Sequence, residues 1–156
     1  MANRWLPKSA LQQDIHKLTK ETTVPTTVIT GRDLTLTIAT TSYDAQATSA
    51  ILSNTATIDT YQTLDGKAYK HIDDQWSFAL EMLADWGASG SLCEALWTAW
   101  ESAPNTTLAV SLTAATGAVF AFNVLPEVPS IGGAAPGAQT VSLTFTVVGT
   151  PSETFS

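Results

Sequence analysis

Charged side chains are scarce in this sequence: they make up 13% of its 156 residues, about half the usual share for a soluble domain. Basic residues are the rarest, with 7 Lys and Arg against 14 Asp and Glu, so the net charge is -7. Proteins that hold nucleic acid do so with a basic patch that neutralises phosphates. The charge balance therefore argues against specific nucleic-acid binding.

The sequence also has only one cysteine and no long apolar run. Cys93 is the single cysteine, which excludes an internal disulfide and a cysteine-rich zinc site. No apolar run has the length of a membrane span, and the residues after Met1–Lys8 lack the apolar core of a signal peptide. We expect a chain that is made in the cytoplasm and has no membrane partner.

Residues that could carry catalysis are few and do not cluster. His16 and His71 are the only histidines, and neither has the spacing of a metal motif. Cys93 lies beside Trp97 in a predicted helix, where a buried structural thiol is the expected role. The segment 87–91 lacks the lysine and the spacing of a phosphate-binding loop. We therefore predict no catalytic residue, no metal and no cofactor.

Threonine is abundant, with 25 residues, and it favours strands over helix interiors. Apolar and polar residues alternate in six segments, which predicts half-buried strands. These segments are 34–39, 52–61, 76–82, 108–112, 119–125 and 141–147. The predicted fold is mainly β (α+β), a sandwich or barrel of six to seven strands with one flanking α-helix at about 91–103.

The predicted helix has an unusually wide apolar surface. Ser91 and Glu94 match a capping box, in which each side chain satisfies a backbone N–H of the first turn. Only Glu94, Thr98 and Glu101 form a polar stripe, whereas a sheet covers about a third of a helix. The remaining apolar surface needs a second cover, either a loop of the same chain or a neighbouring subunit.

The chain divides into three parts. Residues 1–31 form an N-terminal arm that carries four of the seven basic residues, residues 32–149 form the β domain, and residues 150–156 form a polar C-terminal tail. Gly149 to Pro151 is expected to end the last strand. Asp65 and Gly66 mark a turn, which leaves a tight hairpin and a long projecting loop both possible.

Several segments, taken in order, resemble the major tail proteins (tail tube proteins) of long-tailed bacteriophages, especially those of actinobacterial siphophages. The resemblance covers roughly residues 31–151. It is carried by Tyr61–Lys70, Trp76–Glu81, Asp85 and Trp86 followed by Ser91–Trp97, and the stretch from Gly132 to Pro151.

The resemblance implies a structural, non-enzymatic virion protein. Such proteins form six-subunit rings whose sheets join edge to edge, and the rings stack into a tail tube through which DNA passes to the host. Expected partners are copies of the same chain and the tape measure, tail terminator and distal tail proteins. The expected location is the virion tail, assembled in the host cytoplasm. Six copies carry a charge of -42 per ring, which would let DNA slide through the lumen without adhering.

The resemblance also suggests which residues meet other subunits. The expected inter-subunit or inter-ring contacts are Trp5, Lys17, Lys20, Asp65, Gly66, Lys67, Tyr69, Lys70, Trp97, Trp100 and Phe155. The acidic residues expected to face the lumen are Asp59, Asp73, Asp74 and Glu81. The basic arm is a candidate to meet the acidic region 59–85 of a neighbour.

Three other functions are compatible with the sequence. A β-sandwich module that binds carbohydrate or protein would need an exposed aromatic platform, for which Trp5 and Trp86 are the candidates. A tail terminator or decoration protein would share the virion context but would not polymerise by itself. A hydrolase would need a site that the sequence does not reveal.

Overall fold

The computed structural model describes residues 28–156, and all structural statements concern that part of the chain. One turn of 3-10 helix at Gly31–Asp33 precedes the first strand. The elements that follow are β1 (Thr35–Ile38), β2 (Thr41–Ser42), β3 (Ala47–Thr63), β4 (Gly66–Leu83), α1 (Leu92–Ser102), β5 (Leu108–Ala115), β6 (Ala118–Val124) and β7 (Thr140–Phe155). The prediction of a mainly β fold with one helix is confirmed.

All seven strands pair antiparallel in the order β2-β1-β5-β6-β7-β4-β3. Strand β7 joins the two halves of this series, because it pairs with β4 from Thr140 to Thr146 and with β6 from Val147 to Phe155. The halves face one another: Leu52 and Trp76 from one half line the same apolar cavity as Phe120 from the other.

One apolar core fills the space between the two halves and the helix. Phe78 on β4 lies at its centre, with ring centroids 5.1 Å from Phe122 on β6 and 5.9 Å from Phe145 on β7. Strict alternation along β7, with Val141, Leu143, Phe145 and Val147 buried, brings one face of that strand into the core. From α1, the core receives Leu92, Cys93 and Leu96.

The N-terminus of α1 is held by side chains from two directions. Ser91 accepts a hydrogen bond from the Glu94 N–H, at 3.5 Å, as the capping-box prediction requires. The reciprocal half of that prediction is wrong, because the Glu94 carboxylate accepts from the Gly87 N–H at 2.9 Å. Gln46 accepts from the Leu92 N–H at 3.0 Å and so ties the helix to the start of β3. Within residues 28–156, no helix has the length and apolar character needed to cross a membrane.

Strands β3 and β4 form one long hairpin, which resolves the alternatives left open around the Asp65 turn. Leu64 and Asp65 form a two-residue turn, since Thr63 pairs directly with Gly66. Gly66 has a φ of 138°, a backbone conformation that glycine adopts readily. Both strands are longer than predicted. The alternation at 52–61 identified most of β3, but from Ser53 onward that strand is exposed on both faces and not half-buried, and the distal part of β4 is likewise exposed on both faces.

The expectation that the last strand ends at Gly149 is wrong. Ala121 pairs with Ser152 and Asn123 pairs with Val148, so Gly149–Pro151 forms a bulge opposite β6 after which pairing resumes. Gly149 has a φ of 79°, which suits a bulge. Pro151 is tolerated here because this half of β7 pairs with a strand on one side only. Residues 150–155 are therefore strand rather than a loose tail.

Replacing Phe78 with alanine tests the position of the core. We expect Phe78→Ala to lower the free energy of unfolding by about 3–5 kcal/mol, since the ring is fully buried between two other rings. The matched control is Phe155→Ala, which removes a ring that is 68% exposed and should cost much less. Urea unfolding followed by circular dichroism measures both, and equal losses would contradict this account of the core.

Candidate interaction surfaces

Three long strand edges have no partner within residues 28–156. Strand β3 is the last in the sheet order, so its outer edge is open over all 17 residues. Strand β4 pairs with β7 only from Ser77 to Leu83, which leaves the edge of its distal part open. The second half of β7 pairs only with β6. Open edges present rows of unpaired N–H and C=O groups that can pair with another strand.

The distal hairpin extends beyond the core. Every residue from Ser53 to Gln75 is exposed. Its tip carries large apolar side chains, among which Leu64 is fully exposed and Tyr69 is 70% exposed. A hairpin of two strands gains little stability by itself in water. Its length and exposed apolar tip are therefore features typical of a segment that contacts another molecule.

The register of the hairpin defines its two faces. Cross-strand partners lie on the same face, and successive residues of a strand alternate between faces. From Ser49 onward, the odd-numbered residues of β3 and their partners on β4 form the outer face of the sheet, away from the core. We call this the polar face, and its members include Ser49, Ile51, Ser53, Thr55, Thr57, Asp59, Asp73, Gln75, Ser77 and Glu81.

The opposite face continues the core-facing side of β4 outward. Phe78 and Trp76 belong to it near the body, and Asp74 lies farther out on it, paired with Ala56. Near the tip it carries Ile58 and Tyr69. We call this side the inner face of the hairpin. It exposes Ile58 at 56% and Tyr69 at 70%, and the polar face likewise exposes Ile51 at 57% and Tyr61 at 50%.

Asp74 sits in a small hydrogen-bonded cluster on the inner face. Its Oδ1 accepts from Asn54 Nδ2 at 3.0 Å and lies 3.0 Å from His71 Nε2. The Asn54 hydrogen bond, followed by the one from His71, lowers the pKa of the Asp74 carboxyl below its ordinary value. The cluster links the two strands where Ile72 makes the bulge in the hairpin.

A groove lined by tryptophan lies on the exposed side of α1. Trp86 packs edge-on against Trp97, with ring centroids 6.4 Å apart, and Trp97 lies 6.2 Å from Trp100. Ile131, from the loop before β7, lines the same groove together with Glu94. This loop supplies part of the second cover that the helix needs. The cover is incomplete, since Ile131 is 70% and Trp100 is 44% exposed.

Cys93 is a core residue. It is 1% exposed, and burial is the main cause that raises the pKa of its thiol above the ordinary value. This fits the predicted structural role. Within the part of the chain that the structure describes, no group of three or more His, Cys, Asp or Glu residues has an arrangement that could hold a metal ion.

The expected contact residues fall into three places. Asp65, Gly66, Lys67, Tyr69 and Lys70 are together at the tip of the hairpin. Trp97 and Trp100 are together in the groove on α1, and Phe155 ends β7 with its ring 5.9 Å from Phe120. Trp5, Lys17 and Lys20, like His16, lie outside the described residues.

The four acidic residues expected to face a lumen do not share one face. Asp59, Asp73 and Glu81 are on the polar face, whereas Asp74 is on the inner face with His71. Alternation outward from Trp76 and Phe78 already separates Asp73 from Asp74, because adjacent residues of a strand lie on opposite faces.

Three residues of these surfaces were missed in the sequence. Gln46 lies in a connection of small residues that looked featureless, yet it anchors α1. Leu64 and Ile131 each stand as isolated large apolar residues within a turn or a Gly-rich loop. Leu64 and Ile131 could have been identified from the sequence, because each is a large apolar residue among turn residues and no alternating pattern accounts for it.

Comparison with known proteins supports the fold alone. No family model and no curated protein matches the sequence. Among solved structures, the chain is similar to one in the structure described as the virion of a native gene transfer agent (GTA) particle. The TM-score is 0.66 and the sequence identity 11%, over 81% of this chain and 99% of that one. The β body is thus a fold that also occurs in a virus-like particle.

The lowered pKa of Asp74 leads to a pH prediction. Because the folded-state pKa is depressed, the cluster stabilises the hairpin at neutral pH and loses this contribution as the pH falls through the lowered pKa. We expect Asn54→Ala to raise the pKa of Asp74, measured by NMR titration of the carboxyl carbon. Ser53→Ala, which alters the polar face, is the control. An unchanged pKa in Asn54→Ala would rule out the amide as its main cause.

Proposed function

We propose that this protein is a structural component of a virion, a tail tube subunit that assembles into stacked hexameric rings and has no enzymatic role. The observation that carries the proposal is the set of open strand edges on β3, β4 and β7. The similarity of the fold to a chain in a gene transfer agent virion supports it, as does the resemblance of the sequence to tail tube proteins.

The open edges support assembly by sheet extension. Strands β4 and β7 part after the Ser77–Thr146 pair, so each presents a free edge to the same gap. A neighbouring copy that adds strands to these edges satisfies their backbone groups, as in other complexes that form by strand addition. Closing the sheets into a ring removes the edges, which otherwise favour aggregation.

The polar face of the hairpin supports a role as the lining of a channel. It carries hydroxyl side chains from β3 and β4, and it continues onto β7 through Ser142, Thr144 and Thr146. Asp59, Asp73 and Glu81 add negative charge to it, and Lys70, the direct partner of Asp59, adds one positive charge. A surface of hydroxyls and carboxylates repels phosphates at short range, so DNA moves past it without binding.

The partners of such a subunit follow from the same proposal. Copies of the chain are the main partners, and the tape measure, tail terminator and distal tail proteins would bind at the ends or inside of the tube. DNA passes through the lumen without specific contacts. The expected place of the protein is the virion tail, assembled in the host cytoplasm.

Electron microscopy of the purified full chain tests the proposal directly. Negative-stain images over a series of protein and salt concentrations should show rings or hollow tubes. A closed dimer at every concentration contradicts the proposal, because a two-fold pair cannot propagate. A persistent monomer would favour a binding module, for which a ligand-induced change in tryptophan fluorescence would then be the supporting result.

A shortened hairpin shows whether assembly depends on the projecting segment. Thr57 and Asp73 are direct partners, so an Asn-Gly turn can replace residues 58–72 without disturbing the register below them. Because the removed residues are exposed, we expect an unchanged unfolding temperature and the loss of rings and tubes. The matched control replaces the Ala39–Thr40 turn with Asn-Gly and should still assemble. Tubes from the shortened chain would contradict a role of the hairpin in assembly.

A further inference from the structure

We propose that the tryptophan groove on α1 binds the tip of the β3–β4 hairpin of a second copy of this chain, with Leu64 inserted between Trp97 and Ile131. The inference rests on the proposed function and deepens it, because it names the surface that receives the hairpin. It concerns a side-chain contact that is separate from pairing at the strand edges.

The groove has the features of a receiving site for an apolar side chain. Trp86, Trp97 and Ile131 form its walls, and Ile131 remains 70% exposed in the single chain. Tryptophan is enriched at the buried centres of protein interfaces, where a large ring contributes much of the binding energy. A half-buried indole pair beside an exposed isoleucine is therefore an incomplete apolar cluster that one inserted side chain can complete.

The rim of the groove is acidic. Glu94 lines it and is held in place by the Gly87 N–H at 2.9 Å. Glu101 follows Trp97 by four residues on α1, so both lie on the same side of the helix. A segment that binds in this groove therefore needs a basic side chain close to an exposed apolar side chain.

The hairpin tip combines an exposed apolar side chain with basic residues. Residues 28–156 contain twelve acidic side chains and three basic ones, Arg32, Lys67 and Lys70. Lys67 and Lys70 flank Tyr69 at the tip, and Asp65 lies beside the fully exposed Leu64. Leu64 matches the apolar walls of the groove, and the two lysines are the groups that can pair with its acidic rim.

The occupant has to come from another molecule. The hairpin of the same chain is exposed along its whole distal length, so it does not fill its own groove. A contact between the tip of one copy and the helix of the next uses two different surfaces. Such a heterologous contact repeats from copy to copy and generates a ring or a filament. The contact thus has the symmetry that a tube needs.

Cysteine cross-linking tests the contact on the full chain. Leu64→Cys and Ile131→Cys variants are mixed with a thiol cross-linker of about one nanometre reach, and the native Cys93 is buried and contributes little background. We expect a cross-linked pair that contains one of each variant. In the matched control, Leu64→Cys is mixed with Thr41→Cys instead of Ile131→Cys. Thr41 is an exposed position on β2. A yield no higher than that of the control overturns the proposal.

The N-terminal arm is the competing occupant of the groove, and the same assay separates it. A Leu6→Cys variant that cross-links to Ile131→Cys, where Leu64→Cys does not, overturns the hairpin contact. If tubes form but the Leu64→Cys and Ile131→Cys variants do not cross-link, the proposed function stands and only this inference is overturned. A cross-linked pair that never extends into rings or tubes contradicts the proposed function and leaves the groove contact standing.

Charge exchange provides an independent measurement. We expect Lys67→Glu in the Leu64→Cys chain, or Glu101→Lys in the Ile131→Cys chain, to lower the rate of cross-linking about tenfold, the size of an effect of about 1.4 kcal/mol. Glu101 is chosen because Glu94 also caps the loop at Gly87. Combining the two changes should restore most of the rate. Equal rates in all four combinations would overturn the role of charge in the contact.

Discussion

The pairing of β7 with two different strands is the constraint on which the rest of this structure depends. One half of β7 completes the sheet with β4 and the other half completes it with β6. Because a single strand serves both halves, the halves turn to face one another and enclose Phe78. The same arrangement leaves β4 and β7 each with an open edge. The core and the unpaired edges are thus two results of one strand pairing.

Short strands with buried alternation could be predicted from the sequence, whereas features set by pairing could not. The alternation of β7 and the apolar positions of β4 near Phe78 identified the core face. Alternation at 52–61 identified most of β3, whereas the distal part of β4, which is exposed on both faces, was not recognised as strand. Pro151 looked like a strand end, because the sequence cannot indicate that only one side of β7 needs hydrogen bonds there.

The candidate surfaces were predictable to different degrees. The wide apolar surface of α1 correctly indicated that the helix needs a second cover, but the identity of the cover depends on where the 125–139 loop lies, and only the structure gives that. The hairpin residues were grouped correctly because they are neighbours in sequence. Asp73 and Asp74 were wrongly placed on one face, although they are adjacent in a strand and therefore lie on opposite faces.

The uneven distribution of charge has a consequence for timing. Residues 28–156 carry twelve acids and three bases, so the folded bodies of newly made subunits repel one another. At physiological ionic strength this repulsion acts over about 8 Å, farther than the spacing of about 4.8 Å between paired strands. In the proposed assembly, the repulsion would keep free subunits apart although each has open strand edges. Addition at the end of an existing tube, where a correctly oriented surface outweighs the repulsion, would then be favoured over random association.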